Sequence, residues 1–210
     1  MKKILFALAA LAMTGSLQAQ TVTLPAPQAS TSMTLMEALA ARHSGRSFSD
    51  KAIPEQVLSQ VLWAACGVNR PESGKITAPS AINAQDILVY VVRADGAYRY
   101  EPKTHSLTKV SSEDLRPAVA GRQAFAATAP VSLLLVSDHS RFGVHQNGAP
   151  RMGAIDAGYV SENIALACAA LGLENVPRMT MDSDALRKAL NLNDTYDLVL
   201  NQQIGYPVNE

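Results

Sequence analysis

The sequence predicts an α+β fold, on three observations. Strand-length apolar runs follow one another directly between residues 87 and 110, longer segments on either side carry helical periodicity, and no strand–helix–strand alternation of a doubly wound sheet is present. A chain of 210 residues, 48% hydrophobic, suffices for one domain with a substantial core.

The chain opens with Met1-Lys2-Lys3, an apolar run from Ile4 to Met13 and Ser16-Leu17-Gln18-Ala19, the order of charged, apolar and small-residue regions of a secretory signal peptide cut near Ala19. No cysteine lies near that site to carry a lipid anchor, and no later run is apolar and long enough to cross a bilayer. Residues 20–32, rich in Pro, Thr, Ser and Gln, read as a flexible leader, and the folded domain is expected over 33–210. The expected location is outside the cytoplasm, periplasmic or secreted. Thr34 with Glu37 forms a capping box for a first helix with Leu35 and Leu39 on its apolar face. Pro54 opens a second, striped by Val57, Leu58, Val61, Leu62 and Ala65 and stopped by Gly67. Residues 69–78 are expected as a loop.

Ile87 to Val92 is a β-branched strand, Asp95-Gly96 a turn, and the segments 97–100 and 106–110 complete a meander. A helix is expected from Glu113 to about Ala126, a buried strand over 131–136, a long loop over 138–152 and a helix over 154–171 with Ala157, Gly158, Ser161, Ala165 and Cys168 on one side. Asp182 or Ser183 caps a short helix, and residues 197–204 alternate as a last strand. Cys66 and Cys168 sit in apolar helical settings and read as buried thiols. His139, His145 and Asp138 read as polar loop residues, without the spacing of a metal site. Trp63 reads as core or interface packing. Formal net charge is zero, which gives no electrostatic case for nucleic acid or an acidic membrane surface.

Chemistry concentrates in two stretches. Arg42-His43-Ser44-Gly45-Arg46-Ser47-Phe48 places two guanidiniums, an imidazole and a hydroxyl just past a helix, a donor set suited to phosphate oxygens. Pro79-Ser80-Ala81-Ile82-Asn83-Ala84-Gln85 is a turn presenting a hydroxyl, carboxamides and backbone amides to a flat heterocycle. Together with Asp156-Ala157-Gly158, Glu162-Asn163, Leu171-Gly172-Leu173 and Ile204-Gly205-Tyr206-Pro207, they resemble the signatures of the nitroreductase family from about Leu35 to Pro207. Segments 62–69 and 96–100 look most like its branch of azoline-forming dehydrogenases.

The resemblance implies a nitroreductase-like fold, a central and mostly antiparallel sheet flanked by helices, as an intertwined homodimer binding FMN. It assigns Arg42 and Ser44 to phosphate and ribityl oxygens and His43 to backbone and ring contacts. Arg46 falls on the pyrimidine side as an electrostatic stabiliser, Ser80 and Asn83 along the isoalloxazine, and Pro79 and Ala81 on its face from the other subunit. Backbone amides of Met179 and Thr180 would face the flavin. No side chain is assigned as nucleophile or acid, because flavin N5 accepts and returns hydride. Two departures stand out: Pro177-Arg178-Met179-Thr180 lacks the glycine usual after the central helix, and the C-terminal basic phosphate residues are missing, leaving Arg178 as a substitute. The expected activity is hydride transfer in two half-reactions to a nitroaromatic, quinone or similar acceptor, from NAD(P)H, a quinol or a partner flavoprotein. The alternatives are an azoline-type dehydrogenase and a binding protein that keeps the fold with little or no flavin.

Overall fold

The computed structural model describes residues 20–28 and 30–208; the predicted signal peptide lies outside them. Seven strands form one antiparallel sheet in the order β1 (Thr21–Thr23), β6 (Ser106–Ser111), β5 (Gly96–Glu101), β4 (Ile87–Arg93), β7 (Val131–Asp138), β9 (Tyr196–Gly205) and β8 (Glu174–Arg178). A small hairpin, β2 (Val68–Arg70) with β3 (Lys75–Ile76), stands apart. Helices α2 (Glu55–Cys66) and α4 (Ala149–Ala170) cover one face of the large sheet, with α1 (Leu35–Ala41) on α4. Short helices α3 (Arg116–Ala120) and α5 (Ser183–Ala189) cover the other.

The central strands show why the α+β reading holds. Val89, Val91, Leu133 and Leu135 pack into the α2–α4 core, while Tyr90, Val92, Leu134 and Val136 pack into the α3–α5 core. Successive side chains of a strand point to opposite faces, so a strand with helices on both sides must be apolar throughout. That explains continuous apolar runs in an antiparallel sheet.

Four expectations need correction, and one strand was not foreseen. The segment expected as a flexible leader contains β1, paired with Ser106–Thr108, and Leu24, which is buried. Backbone acceptors hold it: Ser59 Oγ donates to the Pro25 carbonyl at 2.5 Å and Gln56 to that of Ala26 at 2.9 Å. The loop expected over 69–78 contains β2–β3. The helix expected from Glu113 to Ala126 is confined to α3, because Gly121 turns the chain at φ +56, and a 3-10 segment, Ala124–Thr128, follows. The long loop over 138–152 is mostly 3-10 turns from His139 to Gly148, and α4 begins at Ala149 with Pro150 in its first turn, where a missing N–H costs nothing. Strand β8 has little signal in the sequence, because Glu174-Asn175-Val176-Pro177-Arg178 carries only one β-branched residue; as an edge strand it tolerates Pro177.

Elsewhere the local signals hold. Thr34 Oγ1 accepts from the Glu37 amide while Glu37 accepts from the Thr34 amide, and the Asp182 carboxylate caps α5 through the Ala185 amide. Cys66 and Cys168 are buried free thiols, and burial pushes Cys66 up to about 12.

Candidate functional site

Helix α4 organises the site, because both chemistry-bearing stretches lean on it at different heights. The loop after α1 rests near its C-terminal half, where Arg42 and His43 line a cleft of about 190 Å³ with Ala165, Ala169 and Glu174. Gly45 is buried here and donates its amide to the Asn175 carbonyl at 2.9 Å. A Cβ on Gly45 would fall 1.1 Å from Glu174 Oε2, so only glycine fits against this carboxylate as it lies.

His43 bridges the cleft. Its Nδ1 lies 3.0 Å from the Ala41 carbonyl and its Nε2 3.3 Å from Glu174 Oε1. The Ala41 carbonyl first, then the Glu174 charge, raise the imidazole above its ordinary pKa. Arg46 Nη1 donates only to the Ser44 carbonyl at 3.2 Å. Neither Arg42 nor Arg46 has a carboxylate partner among the described residues, and Arg46 and Ser44 are exposed. Two unneutralised guanidiniums beside a surface hydroxyl suit an anion.

The second stretch leans on the N-terminal half of α4. Both oxygens of buried Asp156 accept from the Ala81 amide, at 3.1 and 2.9 Å, and Ser80 Oγ accepts from the Gln85 amide at 2.8 Å. Three non-glycine residues of this turn have positive φ: Ile82 at 50°, Asn83 at 58° and Gln85 at 49°. Each such conformation costs roughly 1 kcal/mol or more and persists only where surrounding bonds over-determine it. The result presents Ile82 and Asn83 to solvent with Pro79 beside them.

Within one chain the two stretches do not meet. Asp156, which grips the turn, and Ala169, beside His43, are separated along α4 by roughly 20 Å at its rise of about 1.5 Å per residue. Met179 and Thr180 stand apart again, at the far end of β8 from Glu174, beside an open depression of about 750 Å³ lined also by Gly121 and Arg122. Met179 is 76% exposed.

Arg178 is not free to serve as the substitute phosphate cation that the resemblance suggested. It is buried, with Nε donating to Gln123 Oε1 (2.6 Å), Nη1 to Asn201 Oδ1 (2.9 Å) and Gln203 Oε1 (3.2 Å), and Nη2 to the Ala120 (2.8 Å) and Thr180 (3.0 Å) carbonyls. Its donors are committed internally, and burial lowers its pKa. The side chains behind the azoline-type likeness are likewise structural: Trp63 Nε1 donates to the Val68 carbonyl, and buried Tyr98 donates its hydroxyl to Asp95. Asp138 caps the following turn through Ser140 and meets Arg141 at 3.3 Å. The residue that sequence reasoning missed is Asp86, fully buried behind the turn. A lone Asp preceding an apolar run, as in Asp86-Ile87-Leu88-Val89, was its only signal.

An antiparallel sheet between helical layers, with a cationic loop and a strained polar turn on one long helix, defines an α+β protein whose chemistry-bearing segments both rest on α4. Comparison sharpens this. The family model described as nitroreductase family matches residues 39–206, and the chain belongs to that family of oxidoreductases. A candidate nitroreductase of Ralstonia eutropha has a solved structure 37% identical, covering 90% of each chain, with a TM-score of 0.85. A protein of Methanocaldococcus jannaschii, also named as a candidate nitroreductase, is 29% identical over 79% of this chain and 88% of its own. A more distant Desulfovibrio desulfuricans structure, 21% identical with a TM-score of 0.62 over 85% of this chain and 89% of that one, is a complex with FMN.

Proposed function

We propose that this chain is an exported FMN-dependent oxidoreductase working as a homodimer. The observation that carries the cofactor is the loop after α1, where Arg42 and Arg46 flank Ser44 without a carboxylate partner among the described residues. Arg42 and Ser44 would hold phosphate and ribityl oxygens, with His43 beside them. Arg46 would neutralise negative charge at the pyrimidine edge. Ser80, Asn83, Pro79 and Ala81 would position the ring from the partner subunit, and the Met179 and Thr180 backbone would approach it. FMN, when bound, supplies two-electron hydride chemistry. The protein's share is binding, orientation and charge compensation.

Two features support the dimer. The two proposed binding stretches lie far apart on α4, and a second copy would bring one of each together. Leu35, Met36 and Leu39 of α1 and Ile155 and Tyr159 of α4 are exposed apolar side chains, with Gly158 facing open space between the last two. Electrons would come from a reduced nicotinamide, a quinol or a partner flavoprotein and pass to a nitroaromatic, quinone or similar acceptor. Export rests on residues 1–19 and favours the latter two donors, since reduced nicotinamides are cytoplasmic. The test is FMN uptake followed by absorbance. The mature chain should retain about one flavin per protomer, and Arg42→Ala with Ser44→Ala should lose it while keeping its far-UV spectrum. Full retention by the double variant overturns the site assignment; a colourless wild type that takes up no FMN overturns the enzyme reading for this cofactor.

A further inference from the structure

The strained turn over Ser80–Gln85 is closed from behind by two carboxyl groups. Asp156 grips its entry through the Ala81 amide, and Asp86 is the residue at its exit. Both are buried, at 2% and 0% exposure. Asp86 Oδ2 accepts from the Ser137 hydroxyl at 2.6 Å, and its backbone carbonyl accepts from the Asp138 amide at 3.0 Å. Its Oδ1 is buried without a donor among the described residues. A Cβ on Gly153 would lie 2.2 Å from Ser137 Oγ and 3.3 Å from Asp86 Oδ2, so α4 presses directly on the pair.

We propose that Asp86 and Asp156 share one proton and so act as positioning residues, stapling the two ends of the flavin-facing turn and holding Asn83 in its left-handed conformation. The proposal rests on the functional reading above and adds to it the device that orders the partner half of the site. A proton between the two groups supplies the donor that Asp86 Oδ1 lacks. Two ionised carboxylates in one buried site would repel and push the entry and exit of the turn apart, even though the Ala81 amide still donates to Asp156.

The facing groups support this arrangement. Across the pair lie the Ser137 hydroxyl of β7 and the Ala81 amide of the turn. Arg141, which reaches the exit of the turn, is committed to the Gln85 carbonyl at 2.8 Å and Asp138 at 3.3 Å. Burial first, and then the Asp86 carboxyl, raise Asp156 to about 6. A raised folded value means that the staple is complete below the ordinary Asp range and is lost as pH rises through about 6.

The experiment is FMN titration of the mature chain from about pH 5 to 8, for the wild type, Asp156→Asn, Asp86→Asn and Asp156→Ala. An Asn at either position replaces the shared proton with an amide donor. The FMN phosphate itself titrates near about pH 6, so the reading is the difference between wild type and variant. Relative to either Asn variant, wild-type affinity should fall on the order of tenfold between about pH 5.5 and 7.5, because the shared proton leaves over that interval. Asp156→Ala should bind weakly at every pH. Identical pH profiles for the wild type and both Asn variants, or wild-type affinity in Asp156→Ala, would overturn the staple. Should the wild type take up no FMN at any pH, the functional reading fails by itself and the staple is decided on the ligand-free chain by 13C carboxyl NMR. Carboxyl resonances of Asp86 and Asp156 that move together, with a midpoint above the ordinary Asp range, sustain the pair; independent titration within that range overturns it.

Discussion

Gly45 illustrates how one residue can be required for a steric reason that its neighbours in sequence do not show. Its Cα side is filled by Glu174, a partner far along the chain, and that carboxylate in turn faces the His43 ring. Gly45→Ala should drive Glu174 away, and the His43 pKa, followed by NMR, should fall toward its ordinary value. A second substitution, Glu174→Ala, should remove the clash and restore any lost melting temperature. His43 gains its proton more readily in the fold, so whatever stability this contributes is complete below the ordinary His range and disappears as pH rises through the raised value. Arg178 makes the complementary point. Its guanidinium is surrounded by neutral oxygens from α3, the following segment and β9, so Arg178→Met leaves several buried acceptors without donors. That should cost about 3 kcal/mol in denaturant unfolding, by analogy with other buried hydrogen-bonded charges. An unchanged midpoint would contradict the structural role.

Among the elements, β1 shows how a polar, proline-rich stretch becomes ordered. Leu24 is buried and Val22 packs partly against the same core, and burial of Leu24 stabilises by about 2 kcal/mol. The rest comes from the unpaired edge of β6 and from a polar latch beneath Pro25. There Tyr100 donates its hydroxyl to His105 Nδ1 (2.8 Å), while His105 Nε2 faces Ser59 Oγ (2.7 Å) and the Pro25 carbonyl (3.1 Å). Removing residues 20–26 should expose the β6 edge and leave Ser59 without its acceptor, lowering the melting temperature by roughly 5–10 °C. Burial lowers the His105 pKa, so this latch favours the neutral ring. Its contribution should be present above the ordinary His range and be lost as pH falls through that range. His105→Gln should flatten that acid limb of a melting-temperature profile; an unchanged limb would place the transition elsewhere.

For the molecule as a whole, the exposed apolar residues on α1 and α4 are the place to test the proposed assembly. Leu39→Glu with Ile155→Glu should leave the protomer folded, since neither side chain is in its core, yet turn a dimer into a monomer in light scattering. The same variant should lose FMN if the turn that presents Asn83 acts across the interface. A monomer that keeps full flavin content would mean that one chain completes the site. Such coupling between assembly and ligand binding is expected wherever a partner contributes part of a site.

Much of the fold was legible because short-range physics wrote it. The capping box at Thr34, the Asp182 cap, the apolar stripe of the twelve-residue α2 and the apolar runs of β4 and β7 each determine their own local structure. The two donor-rich stretches were legible for the same reason, since their donors are consecutive in the chain. What only the tertiary structure decided involves partners distant in sequence. Residues 20–26 are ordered by β6, Ser59 and His105; Gly121 ends α3 and turns the chain past Met181; β8 exists because β9 offers it an edge. Arg178 turns inward to oxygens on other elements, and Asp86 is buried against the Ser137 hydroxyl only once β7 pairs with β4. Sequence alone therefore determined the class of protein and the chemistry of its loops, because propensity and pattern act over a few residues. The tertiary structure decided which charges are free and which are consumed, because burial and hydrogen bonding depend on residues that the folded chain brings together.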